Sequence, residues 1–159
     1  MVERELPPTA LVDTGVFMRF LGERPEDPHA GCCAEFCQAM FDRGNEVFVA
    51  APTIAEIMRH RGKPIPRVKG VTVVPFDERA AHILGLEMPM ARLHEAQSNT
   101  GLGLAYLKYD AMISACALRC RTRTLIALDN DHVVMARHLG LNVLHPREFA
   151  SSQLSIFEE

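Results

Sequence analysis

The sequence predicts an α/β fold with a central, mainly parallel sheet of about five strands, covered on both sides by helices. Short runs of Val, Leu and Ile bounded by turn residues alternate with longer segments of helical period, as in repeated βα units. The 159 residues, 48% of them apolar, are enough to fill one core. We therefore expect residues 1–159 to form a single domain.

The strands are predicted from short apolar runs that end at turn residues. In a parallel sheet the carboxyl ends of the strands meet at one edge, and α/β proteins build their ligand sites there. The candidate strands are residues 9–13, 46–50, 71–75, 123–128 and a short 142–144.

Helical periodicity and capping residues predict helices between the strands. Gly44 is a typical stop after the second helix, Pro52 suits the first turn of the third, and Asp77 is a candidate N-cap of the fourth. Segments 62–70 and 94–104 are rich in turn residues, so we expect loops there. The predicted helices are 15–21, about 29–43, 52–61, one beginning at Asp77, about 108–120 and about 131–138.

Composition narrows the class of protein. The net charge of −3 and the isoelectric point near 6.2 argue against a generally basic protein that coats nucleic acid, so a polyanion would need a local patch. No apolar run approaches the roughly 20 residues that span a bilayer, and the acidic N-terminus lacks a signal core. We expect a soluble cytoplasmic protein with no membrane contact, whose five cysteines are reduced core residues.

Four carboxylates share one local setting, in which an apolar segment meets a turn or the start of a helix. They are Asp13, Glu56, Asp110 and Asp129. Acids in such places also cap helices and stay solvated, which is the ordinary alternative for any one of them. Several carboxylates at one edge would repel one another unless a hard cation lay among them. Mg²⁺ or Mn²⁺ suits oxygen ligands and can activate water for phosphodiester hydrolysis.

The segments around these acids follow one another in a recognisable order. They are residues 12–17 (VDTGVF), 53–57 (TIAEI), 109–118 (YDAMISACAL) and 125–131 (LIALDND). They resemble the successive signatures of PIN-domain ribonucleases, including the toxin halves of VapBC-type toxin–antitoxin pairs, from about Leu11 to Phe149. The resemblance implies a three-layer α/β/α sandwich and a Mg²⁺- or Mn²⁺-dependent enzyme that cleaves RNA.

By this resemblance the metal-binding and catalytic set is Asp13, Glu56, Asp110 and Asp129. Thr14 matches a hydroxyl residue that supports the site without binding the ion, and Asp131 matches an acid that either assists Asp129 or caps the last helix. Near Asp129 the chain departs from the family pattern, because Ala127 replaces a common Thr or Ser and His132 replaces an aromatic residue. These departures set Asp129 apart from the other three acids.

A run of basic residues follows Glu56, and no acid lies between Glu56 and Asp77. Its position after a proposed metal ligand predicts a route for the phosphate backbone of RNA, with a solvated basic face as the alternative. The candidate RNA-binding residues are Arg59, Arg61, Lys63, Arg67 and Lys69.

Three roles are compatible with these expectations. A toxin would bind an antitoxin protein, an RNA-processing nuclease would act without one, and a non-catalytic module would bind RNA without cleaving it. The predicted helices within 15–43 could form the face of a homodimer, but their apolar residues are equally explained by the core.

Overall fold

The computed structural model describes residues 4–128 and 131–149, and for residues 131–133 it describes the backbone alone. The described residues contain five strands in one all-parallel sheet of order β3-β2-β1-β4-β5, which confirms the predicted fold class. The strands are β1 (Thr9–Val12), β2 (Glu46–Ala50), β3 (Val71–Val74), β4 (Thr124–Ile126) and β5 (Asn142–Leu144).

Helices connect the strands, and a short 3₁₀ turn at Pro146–Glu148 follows β5. Within residues 4–128 and 131–149, no helix is long and apolar enough to cross a membrane. The helices are α1 (Thr14–Phe20), α2 (Ala30–Asp42), α3 (Ala51–Arg61), α4 (Glu78–Glu87), α5 (Met90–Thr100), α6 (Leu104–Arg119) and α7 (Asp131–His138).

The central strands of the sheet are buried on both faces, which explains why they are almost continuously apolar. In β1, Leu11 faces a core formed with α4 to α7, whereas Ala10 and Val12 face a second core formed with α1 to α3. All three side chains are fully buried. The fold is therefore a three-layer α/β/α sandwich, as the resemblance implies.

The five cysteines are free thiols, and four of them are buried in the two cores. Burial raises the pKa of Cys37 and the pKa of Cys116 to about 12, so both thiols stay protonated at neutral pH. The expected core position holds for these four cysteines, whereas Cys120 is half-buried and packs against the core formed with α4 to α7. Their reduced state stays a prediction.

Asp77 caps α4, as predicted, and also ties it to α6. Its carboxylate accepts a hydrogen bond from the backbone N–H of Ala80 (3.0 Å). The guanidinium of Arg119, the last residue of α6, donates to both oxygens of the same carboxylate at 2.8–3.0 Å. The pKa of Asp77 falls to about 2, because of Arg119 first and the Ala80 N–H second. This pair holds α4 against α6.

The predicted loop over 94–104 is wrong, because α5 covers most of it. Leu93 and Ala96 lie one helical turn apart and are buried in the core shared with α6 and α7. The Thr100 hydroxyl donates to the carbonyl of Ala96 (2.7 Å), and Gly101 ends the helix in the left-handed conformation (φ 72°). Burial of one face thus stabilises a helix whose other residues are mostly polar.

Helix α6 also begins earlier than predicted, at Leu104 instead of Lys108. Asp110 therefore lies in the second turn of the helix, and its prediction at the helix start is wrong. Because the favourable field of a helix N-terminus fades within the first turn, it contributes little to the Asp110 carboxylate. Other groups must balance this charge.

The strand order creates a crevice at the carboxyl edge of the sheet. The chain passes from β1 to β2 and β3 in one direction, and β4 and β5 lie on the other side of β1. Such a reversal is where open α/β sheets bind ligands. The backbone N–H of Asp13 donates to the carbonyl of Ile126 (3.0 Å), so Asp13 lies between the ends of β1 and β4.

The end of α5 gives a direct test of the corrected helix assignment. Gly101→Ala should lower the free energy of unfolding by about 1 kcal/mol, since a Cβ is strained at positive φ. Gly85→Ala, on the exposed face within α4, should raise it by about 0.5–1 kcal/mol. Urea unfolding of both variants measures the difference, and equal effects would contradict the assigned end of α5.

Candidate active site

Asp13 is almost completely buried at the junction of β1 and α1, with 4% of its surface exposed. It is the N-cap of α1, and its Oδ1 accepts a hydrogen bond from the backbone N–H of Gly15 (2.6 Å). Val12 and Val16, on either side of this turn, are fully buried. The local sequence of apolar strand, acid and apolar helix therefore fixes both the position and the orientation of the carboxylate.

The first turn of α3 joins the elements that carry the candidate acids. The hydroxyls of Thr14 and Thr53 lie 3.1 Å apart and share a hydrogen bond, which connects α1 to α3. The hydroxyl of Tyr109 donates to the carbonyl of Pro52, which connects α6 to the same turn. Thr14 follows Asp13 and Tyr109 precedes Asp110 in the chain. The two carboxylates are thus each one residue away from a side chain anchored on α3.

Asp110 is as buried as Asp13, with 4% of its surface exposed. It belongs to the face of α6 that carries Leu107 and Ala111 into the core. The hydroxyl of Ser114, one turn further on, is buried and has no hydrogen-bond partner among the described residues. A buried carboxylate and a buried hydroxyl on an otherwise apolar helix face indicate a polar site between α6 and the sheet.

Glu56 differs from the two aspartates because its side chain is exposed in the second turn of α3. Its negative charge nevertheless affects Tyr109, which precedes Asp110 in the chain. The pKa of Tyr109 is raised, chiefly by burial and further by the negative charges of Glu56 and Asp110, while Arg59 opposes the change. Glu56 and Arg59 are thus exposed residues of α3 whose charges act on Tyr109, and we refer to this exposed side as the rim of the site, in contrast to the buried Asp110.

Asp129 lies outside the described residues, as does the side chain of Asp131. The last residue before this gap is Leu128, whose side chain approaches the position of a Cβ at Gly15 to 4.0 Å. Leu128 thus lies next to the turn that holds Asp13. The roles of Asp129 and Asp131 stay predictions.

The donor set suits a hard divalent cation. Among the described side chains, no group of three or more His, Cys, Asp or Glu residues could hold a metal ion. Mg²⁺, however, usually keeps several waters and is bound through one or two carboxylates. Asp13 and Asp110 supply carboxylate oxygens of the kind that this ion binds, so the chemistry of the residues present fits Mg²⁺ or Mn²⁺.

Arg19 is a residue of the site that the sequence did not point to. Its Nη1 donates to the carbonyl of Gly15 (2.9 Å) and its Nη2 donates to Oδ2 of Asp27 (2.9 Å). The side chain is only 15% exposed. The available signal was a single basic residue in the apolar helix that follows Asp13. Its partner Asp27 comes from the α1–α2 connection, which gave no indication of contact.

The predicted RNA-binding residues do not form one patch beside Glu56. Arg59 lies at the rim of the site, but Arg61 Nε is 2.8 Å from Glu23 Oε1 in an ion pair that is largely shielded from water. Lys69 lies just before β3, whose first residue pairs with Val47, so it is at the opposite edge of the sheet from Asp13. Lys63 and Arg67 are exposed on the connection between these ends. The reason is that α3 rises about 1.5 Å per residue away from the site.

Two solved structures share this fold. A chain in the structure of VapBC2 from Rickettsia felis bound to a promoter DNA fragment has a TM-score of 0.57 and 13% identity, covering 86% of this chain and 98% of that one. A chain in the structure of FitAB bound to the IR36 DNA fragment has a TM-score of 0.52 and 19% identity, covering 86% and 94%. The resemblance to VapC-like PIN domains is thereby confirmed at the level of fold. No protein-family model and no curated protein sequence matches the chain.

The Arg19–Asp27 pair should make stability depend on pH. The pKa of Asp27 is lowered from 3.8 to about 2, first by Arg19 and then by the backbone N–H of His29. A lowered pKa means that the pair stabilises the fold above about pH 4 and that this contribution is lost as the pH falls towards 2. Asp27→Asn should therefore be less stable than wild type between pH 5 and 7, and the gap should close below pH 4.

Urea unfolding from pH 7 to pH 2 measures this gap, with the exposed neighbour Glu26→Gln as the control. A gap that stayed constant over the whole range would show that Asp27 contributes through packing, without the ion pair.

Proposed function

We propose that this protein is a divalent-metal-dependent endoribonuclease that hydrolyses RNA phosphodiester bonds. The observation that carries the proposal is the pair of buried carboxylates, Asp13 and Asp110, on elements joined through the first turn of α3 at the carboxyl edge of the sheet. Buried carboxylates are costly unless a compensating charge is present, and a hard cation is the compensation that suits oxygen ligands. The resemblance to PIN-domain ribonucleases supports the same function.

In this proposal the ion is held by Asp13 and Asp110, with Glu56 at the rim and Asp129 as a further ligand. Bound Mg²⁺ or Mn²⁺ supplies the polarisation of the scissile phosphate and the activation of water. The protein itself contributes by holding the carboxylates in position. The Gly15 N–H fixes one oxygen of Asp13, and the Thr14–Thr53 contact sets the distance between α1 and α3. Tyr109 holds α6 on Pro52, which orients Asp110.

RNA would approach from the side of the site where Glu56 and Arg59 are exposed. A cationic side chain at this rim can hold a phosphate next to the buried acids and offset the repulsion between RNA and carboxylates. Arg59 is therefore the strongest of the five predicted RNA-binding residues. The connection that carries Lys63 and Arg67 is a second contact for a longer RNA strand. The charge of Arg61 is engaged in its ion pair with Glu23.

The biological role we favour is that of the toxin in a toxin–antitoxin pair, with an antitoxin protein as partner. The shared fold with chains of VapBC2 and FitAB, both solved on DNA fragments, supports this role. A gene for a small DNA-binding protein directly upstream would be expected. Its absence would favour an RNA-processing nuclease that acts without an antitoxin.

Cleavage of a single-stranded RNA in Mg²⁺ or Mn²⁺ tests the enzymatic proposal. EDTA should abolish cleavage, and Asp13→Asn or Asp110→Asn should slow it by about 100-fold or more, since even residues that merely orient metal ligands contribute 10- to 100-fold. Glu56→Gln should have a smaller effect because its carboxylate is exposed. Glu35→Gln, an exposed acid on α2, is the matched control and should cleave like wild type.

Two results would contradict the proposal in different ways. Activity that survives both EDTA and Asp13→Asn would reject the metal mechanism. RNA binding without turnover in any divalent metal would identify the protein as a non-catalytic RNA-binding module.

The placement of the basic residues predicts unequal effects on RNA binding. Arg59→Gln should weaken binding and reduce the slope of log K against log salt concentration by about 0.7, the value for one lost phosphate contact on a single strand. Lys69→Gln removes the same charge at the far edge of the sheet and should change neither quantity. Fluorescence anisotropy with labelled RNA, in an Asp110→Asn background that slows cleavage, measures both. Equal losses would place the RNA along the whole basic segment instead.

A further inference from the structure

Arg19 brings a positive charge next to the buried Asp13. A Cβ at Gly15 would lie 3.4 Å from Arg19 Nη1 and 3.5 Å from Asp13 Oδ1. The guanidinium nitrogen and the carboxylate oxygen are therefore at most about 7 Å apart. Both groups also bind the same residue, because Oδ1 accepts from the Gly15 N–H and Nη1 donates to the Gly15 carbonyl. The guanidinium is thus held beside the Asp13 carboxylate, while its own ion pair is with Asp27.

The position of Arg19 is fixed from its other side by Asp27. The Asp27 carboxylate accepts from Arg19 Nη2 through one oxygen and from the backbone N–H of His29 through the other (2.8 Å). His29 precedes α2, so the connection between α1 and α2 is ordered around this carboxylate. With 15% of its side chain exposed, Arg19 is poorly screened by solvent. Its pKa is raised, chiefly by the hydrogen bond to Asp27, and the charge of Asp13 adds to this.

We propose that Arg19 is a positioning residue that serves as the resident counter-charge of Asp13 and sets the affinity of the site for its divalent cation. The inference rests on the proposed function, because it places the cation at Asp13. Without a metal ion, Arg19 offsets the cost of burying the carboxylate. When the cation binds, the same positive charge opposes it, so the ion is held less tightly than the carboxylates alone would allow. Asp27 moderates this opposition by neutralising part of the guanidinium charge.

Removal of each charge should therefore change metal affinity in opposite directions. Arg19→Met keeps much of the aliphatic bulk and removes the charge, and it should tighten Mn²⁺ binding at least about fivefold, because that is the effect of unit charges about 4 Å apart in bulk water and Arg19 is less screened than that. Asp27→Asn leaves the guanidinium without its neutralising partner and should weaken Mn²⁺ binding about threefold. In the Arg19→Met background, Asp27→Asn should have a clearly smaller effect, because there is no guanidinium left to neutralise.

Metal binding is measured directly from the electron paramagnetic resonance signal of free Mn²⁺, titrated against the full chain. The rise in melting temperature caused by Mn²⁺ gives a second readout, which should be larger for Arg19→Met than for wild type. Arg19→Lys keeps the charge with a different shape and should bind Mn²⁺ within about twofold of wild type. Arg43→Met, an exposed arginine after α2, is the matched control and should not alter affinity.

The outcomes separate this inference from the proposed function. Tighter binding in Arg19→Met, with near-normal binding in Arg19→Lys, supports the role of Arg19. Unchanged or weaker binding in a folded Arg19→Met, or a full effect of Asp27→Asn in that background, would overturn it while leaving the nuclease proposal intact. If Arg19→Met does not fold, weaker binding in Asp27→Asn and normal binding in Arg19→Lys still support it, and equal binding in both overturns it. Wild-type protein that binds Mn²⁺ but cleaves no RNA would reject the nuclease alone, and absence of Mn²⁺ binding in every variant would reject both.

Discussion

Two carboxylates withdrawn from water at one edge of a parallel sheet constrain the rest of this structure. Burial disfavours the charged form of a carboxylic acid, so Asp13 and Asp110 need hydrogen-bond donors and positive charge nearby. The Gly15 N–H meets part of this need for Asp13, and the guanidinium of Arg19 supplies a fixed positive charge. In the proposed function, a divalent cation bound to oxygens of both aspartates would add further positive charge at this edge of the sheet.

The three-layer architecture determines how these groups come together. Asp13 begins α1, which belongs to the core on one face of the sheet, whereas Asp110 belongs to α6 in the core on the other face. The first turn of α3 lies where they meet and binds both sides, through Thr53 towards α1 and through Pro52 towards α6. The site is therefore complete only when both layers are packed on the sheet, so its geometry depends on the whole fold.

The fold and part of the site could be predicted from local sequence. The strands follow from short apolar runs. Asp13 was found because it directly follows such a run, and Asp77 because it precedes a helix that it caps. Local sequence failed where tertiary packing decides the outcome. Helix α5 is stabilised by the burial of Leu93 and Ala96 in a mostly polar segment, and its presence and the early start of α6 move Asp110 into a helix interior.

Residues that act through distant contacts were the hardest to predict. Arg19 is held in place by a hydrogen bond to Asp27, eight residues further along. Thr53 connects α3 to α1 through its hydrogen bond with Thr14. The basic segment after Glu56 is continuous in sequence, but α3 and the connection after it carry it from the rim of the site at Arg59 to the opposite edge of the sheet at Lys69. Adjacency in the sequence therefore did not predict adjacency in space.

Anomalous diffraction from crystals soaked in Mn²⁺ tests the central claim most directly, because it locates the ion without reference to activity. The two-carboxylate site predicts an anomalous peak in the crevice between β1 and β4, with ligand distances to oxygens of both Asp13 and Asp110. A peak that contacts neither aspartate would contradict the assignment of the metal site to these buried carboxylates.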